Sequence, residues 1–304
     1  MLTIAIPTFQ RGAVLCETIA LLLDLDPPPG EIVIVDQTPE QPDEVAARLH
    51  TWHEAGLIRL IRLEHPSITR AMNVALMEAK YDAVLFLDDD VIPSRTLVAE
   101  HIRALSDASV TAVVGQVLQP GESPVRAPEA NLHRGLLPDL EFPFNHDAPS
   151  EIENVMAGNL AVDRDKALAI GGFDENFVGV AYRFETDFAR RLVAAGARIR
   201  YEPAASIRHL KAPGGGTRTF GDHRTSTAPW HSVGDYYFAL LHAPRFWRYA
   251  AHRLLRNTAT RFHLTHPWTL PGKLIGELRG MMLARKLATG GRKLMRATSE
   301  RDGK

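Results

Sequence analysis

The chain has 304 residues, a formal net charge of −1, 45% apolar and 23% charged residues, a balance that fits a folded globular protein and excludes disorder, collagen and coiled coil. No apolar run reaches the roughly 18–20 residues that span a bilayer, and the opening Met1-Leu2-Thr3-Ile4 lacks a basic signal-peptide start, so the expected compartment is the cytosol. The single cysteine, Cys16, excludes an internal disulfide and argues against a cysteine-based zinc site.

Residues 3–7 form a short apolar run stopped by Pro7 and predict a buried strand. Leu15, Ile19, Leu22 and Leu23 follow at helical spacing, closed by Pro27-Pro28-Pro29-Gly30. Glu31–Asp36 predicts a second strand, Asp43–Glu54 a helix, and residues 58–63 a third strand. A helix over 69–79 leads into a fourth strand at Ala83–Leu87, Pro93 opens a further helix, and residues 110–114 give a fifth strand. This alternation predicts an α/β fold: a mostly parallel, Rossmann-like sheet with helices on both faces. Ligands in such sheets bind beyond the carboxyl ends of the strands, which directs attention to the residues there.

Three strand ends carry chemistry: Pro7-Thr8-Phe9-Gln10-Arg11, Asp36-Gln37-Thr38 and Asp88-Asp89-Asp90. Asp36 suits a turn or helix cap as well as a ligand. In the triplet, carboxylates about 5 Å apart at an effective dielectric near 20 repel by roughly 3 kcal/mol per pair. A hard divalent cation, Mn²⁺ or Mg²⁺, relieves that repulsion and also binds diphosphate. In extended chain Asp88 and Asp90 point the same way and Asp89 the opposite way. A solvated acidic turn before a helix is the competing explanation.

These segments, Ile4-Ala5-Ile6-Pro7-Thr8-Phe9-Gln10-Arg11, Ile34-Val35-Asp36 and Leu85-Phe86-Leu87-Asp88-Asp89-Asp90, together resemble the inverting family-2 glycosyltransferases of the GT-A fold. Ala157-Gly158-Asn159-Leu160-Ala161-Val162 and Gly171-Gly172-Phe173-Asp174-Glu175 resemble that family's acceptor-side signature. Residues 183–192 resemble the segment holding its base, and residues 201–209 the one supplying a histidine to the metal or diphosphate. The resemblance covers about residues 1–240, in the family's order.

The resemblance implies a donor site of Pro7, Thr8, Arg11, Asp36, Asn73, Asp88 and Asp89, with Asp36 on the nucleotide base and Asp88 near the ribose. It implies a metal site of Asp90, His209 and Asp88, a base at Glu185 or Asp187, and acceptor contacts at Asn159, Asp174 and Glu175. Where the family often has Arg-Asn this chain has Met72-Asn73, so Arg70 takes over the diphosphate contact or the contact is missing. Inverting transfer needs a carboxylate to accept the acceptor hydroxyl's proton, and stabilisation of the departing nucleoside diphosphate. Glu185 in a first helical turn suits that task and equally suits capping. Gly214-Gly215-Gly216 before Arg218 reads either as a lid that closes Arg218 on the diphosphate or as a plain linker. Gly171-Gly172 reads as an acceptor turn or as a helix end.

The expected division is a glycosyltransferase domain over 1–234 (nucleotide-sugar half 1–118, acceptor and catalytic half 119–234) and a basic, aromatic-rich helical extension over 235–304. Residues 245–304 hold 14 Lys or Arg against three acids, so a +11 tail follows a −12 body. Trp230, Tyr236, Tyr237, Phe238, Trp247, Tyr249 and Trp268, interleaved with Arg245, Arg248, Arg253 and Arg256, suggest contact with an anionic membrane, where a lipid-linked acceptor would be met; a hairpin packed on the body or an oligomer contact fits too. No nucleic-acid motif accompanies the charge. The expected partners are a nucleoside-diphosphate sugar and a glycan or lipid-linked acceptor. Alternatives are a non-catalytic sugar-nucleotide-binding relative and a metal-dependent phosphohydrolase. The latter carries its Asp-x-Asp on the first strand, with Thr or Val where this chain has Ile92.

Overall fold

A computed structural model describes residues 1–126, 140 and 142–295. The last nine residues of the expected extension, 296–304, lie outside the described residues. Three β–α alternations and a fourth strand run as predicted: β1 (Thr3–Thr8), α1 (Ala13–Leu23), β2 (Glu31–Asp36), α2 (Asp43–Glu54), β3 (Arg59–Arg62), α3 (Ile68–Glu78), β4 (Ala83–Leu87). Pro93 does not open a helix. It closes a short strand, β5 (Val91–Pro93), and α4 (Leu97–Leu105) begins four residues later. β5 is the outermost strand beyond β9, where a proline without an N–H is tolerated.

The second half adds β6 (Val110–Leu118), β7 (Ser150–Ile152), β8 (Asn159–Asp163), α5 (Arg164–Ala169), α6 (Phe184–Ala194) and β9 (Arg198–His209). The sheet order is β3-β2-β1-β4-β8-β6-β9-β5, with β7 also on β9. β3, β2, β1 and β4 are parallel, and β8 lies antiparallel between β4 and β6. That reversed strand sets Asn159 opposite Leu87 and so brings Gly158 beside the acidic turn that follows β4. Both faces of the sheet are covered. Ile4, Ile6, Ile34 and Leu85 pack in one core, while Ala5, Val33, Phe86 and Leu160 pack in the other, which is the two-residue alternation of a pleated strand.

The expected boundary at 235 falls inside α7 (Val233–His242), and α7 is core, not appendage. Tyr236, Tyr237 and Phe238 are fully buried in the cluster that also holds Phe173, Phe188 and Tyr201. Tyr249 of α8 (Phe246–Thr258) joins them, and Arg253 is 4% exposed. These aromatics are therefore unavailable to a membrane. After α9 (Arg261–Thr265), α10 (Leu270–Thr289) closes on the body through glycines: a Cβ at Gly280 would meet Ser232 Oγ at 2.0 Å, and one at Gly276 would meet Ser226 O at 2.5 Å. What stays exposed is Trp247, Leu255, Leu264, Trp268 and the Leu274, Ile275, Leu278, Met282 stripe of α10. Among the described residues no helix is long and apolar enough to cross a membrane.

Candidate active site

The parallel strands end together, and their C-terminal turns enclose a cleft of about 370 Å³ lined by Pro7, Thr8, Arg11, Asp88, Asp89 and His209, with Arg218 opposite. The acidic turn is held by its neighbours. Thr8 Oγ1 donates to Asp89 Oδ2 (2.7 Å), and Arg11 Nε lies 2.8 Å from Asp89 Oδ1. Behind it, Thr18 of α1 donates to the carbonyl of Asp89 and accepts from the Val91 amide. Burial pushes Asp89 up to about 7 despite Arg11 and Thr8. Asp89 is thus the residue that anchors the turn.

Asp88, Asp90 and His209 face one another, each offering a ligand atom within 4.8 Å of the others. His209 Nε2 is 3.0 Å from Asp90 Oδ1 and 3.7 Å from Asp88 Oδ2. Asp90 is fully buried; burial alone would raise it, but His209, the Ala212 amide and Arg11 hold it below the usual carboxylate range. The Asp88 side chain is 48% exposed through the cleft mouth, yet the protein packed round it pushes its pKa up, and Asp90 adds to the rise.

Two observations test whether a cation fits. Asp90 Oδ1 is buried with no donor aligned on it. His209 Nδ1 is 3.1 Å from Gln119 Oε1, which orients the ring and leaves Nε2 for the cluster. Two carboxylates and an imidazole are donors suited to Mn²⁺ or Mg²⁺. Asp88, Asp90 and His209 could together hold such a cation. Gln119 and Thr18 escaped the sequence reading, because neither lies in a pattern that marks a ligand's partner.

Glu185 opens α6 beyond a strained turn, where Ala181 and Arg183 both adopt positive φ, a cost of order 1–3 kcal/mol each that tends to gather at functional sites. Its Oε1 accepts from the Ala157 amide at 2.5 Å. The next residue, Gly158, touches Asp88 so closely that a Cβ there would lie 2.4 Å from Asp88 Oδ2. Ala157 and Gly158 therefore link the helix carboxylate to Asp88 of the Asp88, Asp90 and His209 cluster. Burial pushes Glu185 up to about 7, with Asp88 adding to the rise and the Ala157 amide and Arg183 opposing it. A carboxylate at that value is matched to taking a proton near neutrality.

The structure takes several expected residues out of the cleft. Asp187 is fully buried, where Arg191, His242 and Arg292 surround it; burial opposes, but these partners bring it down to about 2. These contacts tie α6 to the segment that follows α10. Asn159 is buried, with its amide donating to the carbonyls of Gln116 and Ala205 and its oxygen 2.8 Å from His101, so it staples β8 to its neighbours. Asp174 accepts from Tyr237 and from the Lys293 amide, and Glu175 pairs with Lys293 Nζ at 2.9 Å. The chain's own residues 291–295 thus cover the surface assigned to the acceptor. Asn73 binds the backbone of Phe173 on both its amide atoms, and Arg70 is exposed outside the cleft lining. Asp36 is buried and engaged by Thr38 N, Gln41 and Arg62, so its neighbour Gln37 lines the cleft in its place.

The triple-glycine segment is docked on the β1–α1 turn. Gly216 N donates to Phe9 O (2.8 Å), Arg11 Nη1 donates to Gly214 O (2.8 Å), and Gly215, at φ 75°, passes so near Gln10 that a Cβ would meet its carbonyl oxygen at 2.3 Å. The helical turn Gly216–Phe220 then carries Arg218 over the cleft.

Strand-end aspartates thus face a histidine at one edge of a mixed sheet with a reversed central strand. The chain belongs to glycosyl transferase family 2, whose profile matches residues 3–170. It is 32% identical over 182 residues to the pre-mycofactocin glycosyltransferases of two Mycobacterium tuberculosis strains, CDC 1551 / Oshkosh and H37Rv. The match takes in 58% of this chain and 35% of those relatives, so it spans about a third of their length. Among solved structures, GalNAc-T7 with UDP, GalNAc and Mn²⁺ superposes with a TM-score of 0.55 at 14% identity, over 79% of this chain and 50% of that one. The Pyrobaculum calidifontis mannosyltransferase PcManGT with GDP-Man and Mn²⁺ gives 0.53 at 21% identity, over 95% and 79%. At these identities the two structures establish the shared fold.

Proposed function

We propose that the chain transfers a sugar from a nucleoside-diphosphate sugar to an acceptor hydroxyl with inversion, Glu185 taking the hydroxyl proton. The observation that carries this is the coupling of Glu185 to Asp88 through Ala157 and Gly158 at the edge of one cleft. Asp88, Asp90 and His209 would hold the divalent cation, which supplies charge stabilisation for the diphosphate. Pro7, Thr8 and Gln37 line the base and ribose end, and Arg218 lies where it can reach the departing phosphates. The fold neighbours' UDP and GDP-Man make uridine and guanosine diphosphates the first donors to try. In a thermal-shift panel of nucleoside diphosphates, one base should stabilise the chain only with Mn²⁺ present, by about 2.7 kcal/mol at 100 times its dissociation constant. If no nucleotide stabilises it with or without metal, the donor-site reading fails.

The acceptor is a glycan or lipid-linked hydroxyl compound, met at an anionic bilayer. Charge supports this location: among the described residues of 245–295 the only acid is Glu277, which is 3% exposed, while Arg245, Arg248, Arg256, Arg261, Arg279 and Arg285 are exposed around Trp247, Trp268 and Leu278. The chain should float with phosphatidylglycerol vesicles and stay at the bottom with neutral ones. Staying at the bottom in both contradicts the membrane location.

A further inference from the structure

A second cavity, of about 450 Å³, adjoins the donor cleft along the Gly216–Phe220 turn, whose Thr217 and Arg218 line both. Arg218, His223, His231, Arg253, Arg256 and Lys273 face it, and no carboxylate is among the described residues that line it. Its cationic floor is built from the core outward. Arg253 and Lys273 are each 4% exposed. Arg253 pairs with Asp235 and, at 3.2 Å, with Glu277, and Lys273 Nζ lies 2.8 Å from Glu277 Oε1 while donating to the His223 carbonyl at 3.0 Å. Tyr236 Oη fixes Glu277 from behind at 2.8 Å. These two carboxylates offset the charge of Arg253 and Lys273 without reaching the lining, so the positive charge the cavity presents comes from Arg218 and Arg256. Among the described residues the Arg218 guanidinium has no hydrogen bond or ion pair with the protein. Val180 and Tyr182 form another wall, on the strained turn that leads directly into Glu185.

We propose that this cavity binds a phosphate group carried by the acceptor. The inference rests on the transferase reading and deepens it by naming the acceptor's chemistry. Guanidinium, ammonium and imidazole donors converging from several elements suit the oxygens of a phosphoester. The volume exceeds that of a phosphate alone, leaving room for what the phosphate is attached to. The donor's diphosphate has its own place at the metal centre. Without metal, the donor cleft holds three aspartates against Arg11, so free phosphate is drawn to the second cavity.

The test is calorimetric titration of inorganic phosphate into the full chain, with neither metal nor nucleotide present. Wild type should bind at a single saturable site. Arg256→Glu should weaken binding roughly tenfold or more. His223→Glu, on an exposed turn whose change spares the buried floor, should do likewise, whereas Asp90→Asn in the donor cleft should bind as wild type. Methyl phosphate and phosphatidic acid vesicles separate the sources. Methyl phosphate bound at this site indicates a soluble phosphoester, and vesicle binding lost in the same variants indicates a lipid headgroup. Absence of saturable phosphate binding by wild type, or equal binding by both cavity variants, overturns the proposal. The Mn²⁺-dependent nucleotide effect is read separately, so its failure would refute the transferase reading and leave the phosphate site standing.

Discussion

Replacing Glu185 with glutamine is expected to lower kcat by roughly 10²–10⁴-fold with little change in donor affinity, the loss typical of a positioned general base. The wild-type pH profile supplies the companion result. Glu185 works only when ionised, and burial raises it from 4.5 to about 7, so kcat should climb as pH rises through about 7. The sign for stability is opposite. Between the unfolded value and about 7 the folded chain holds a proton that the unfolded chain has released, so this group's contribution to stability falls as pH rises through that window. Glu185→Gln removes that loss, and its melting midpoint at pH 8 should exceed wild type by roughly 2–4 °C for each kcal/mol recovered.

Asp187 should behave in the reverse manner. Its folded value of about 2 lies below the ordinary 3.8, so its contribution to stability is present above 3.8 and is lost as pH falls toward 2. Asp187→Asn leaves Arg191 and Arg292 facing a neutral group and should cost about 3–5 kcal/mol of stability, read by denaturant unfolding. Should Asp187→Asn abolish turnover in a fully stable protein while Glu185→Gln stays active, the base has been assigned to the wrong carboxylate.

The second large effect is expected at the metal centre. Asp90→Asn should weaken Mn²⁺ binding by more than about 100-fold, because it removes a buried ligand oxygen and not merely an outer partner. Gln119→Ala, which frees His209 to turn, should cost about 10–100-fold, the range usual for a group that orients a ligating histidine. Both are read by titrating Mn²⁺ calorimetrically. Since binding requires ionised carboxylates and a neutral imidazole, affinity should also fall as pH is lowered. Equal affinity in Asp90→Asn and wild type would place the cation elsewhere.

The open, parallel half of the molecule was legible because β1, β2 and β4 are largely apolar runs buried on both faces and each ends in a polar turn. The acidic triplet was legible for the same reason: charge directly after an apolar strand is conspicuous. The reversed strand β8 was not, since nothing in Asn159-Leu160-Ala161-Val162 distinguishes a parallel neighbour from an antiparallel one. The base was narrowed to Glu185 and Asp187, and local sequence could not separate them. What separates them is distant: Arg292 reaches Asp187 from 105 residues away, while Glu185 accepts from the Ala157 amide beside Asp88. The same distance effect misled the reading of Asp174 and Glu175, whose partner Lys293 lies near the other end of the chain. The tail's aromatics looked like a surface because composition records how many there are and not which way they face; Tyr236, Tyr237 and Phe238 of α7 and Tyr249 of α8 turn inward, while Trp247 and Trp268 stay exposed.

The most direct test of the account is anomalous X-ray diffraction from crystals soaked with Mn²⁺ and the nucleoside diphosphate that stabilises the chain. The account predicts a manganese peak bound by Asp90, His209 and Asp88, with diphosphate oxygens completing its shell. A peak that excludes Asp90, or a nucleotide seated away from the ends of β1 and β4, would contradict it.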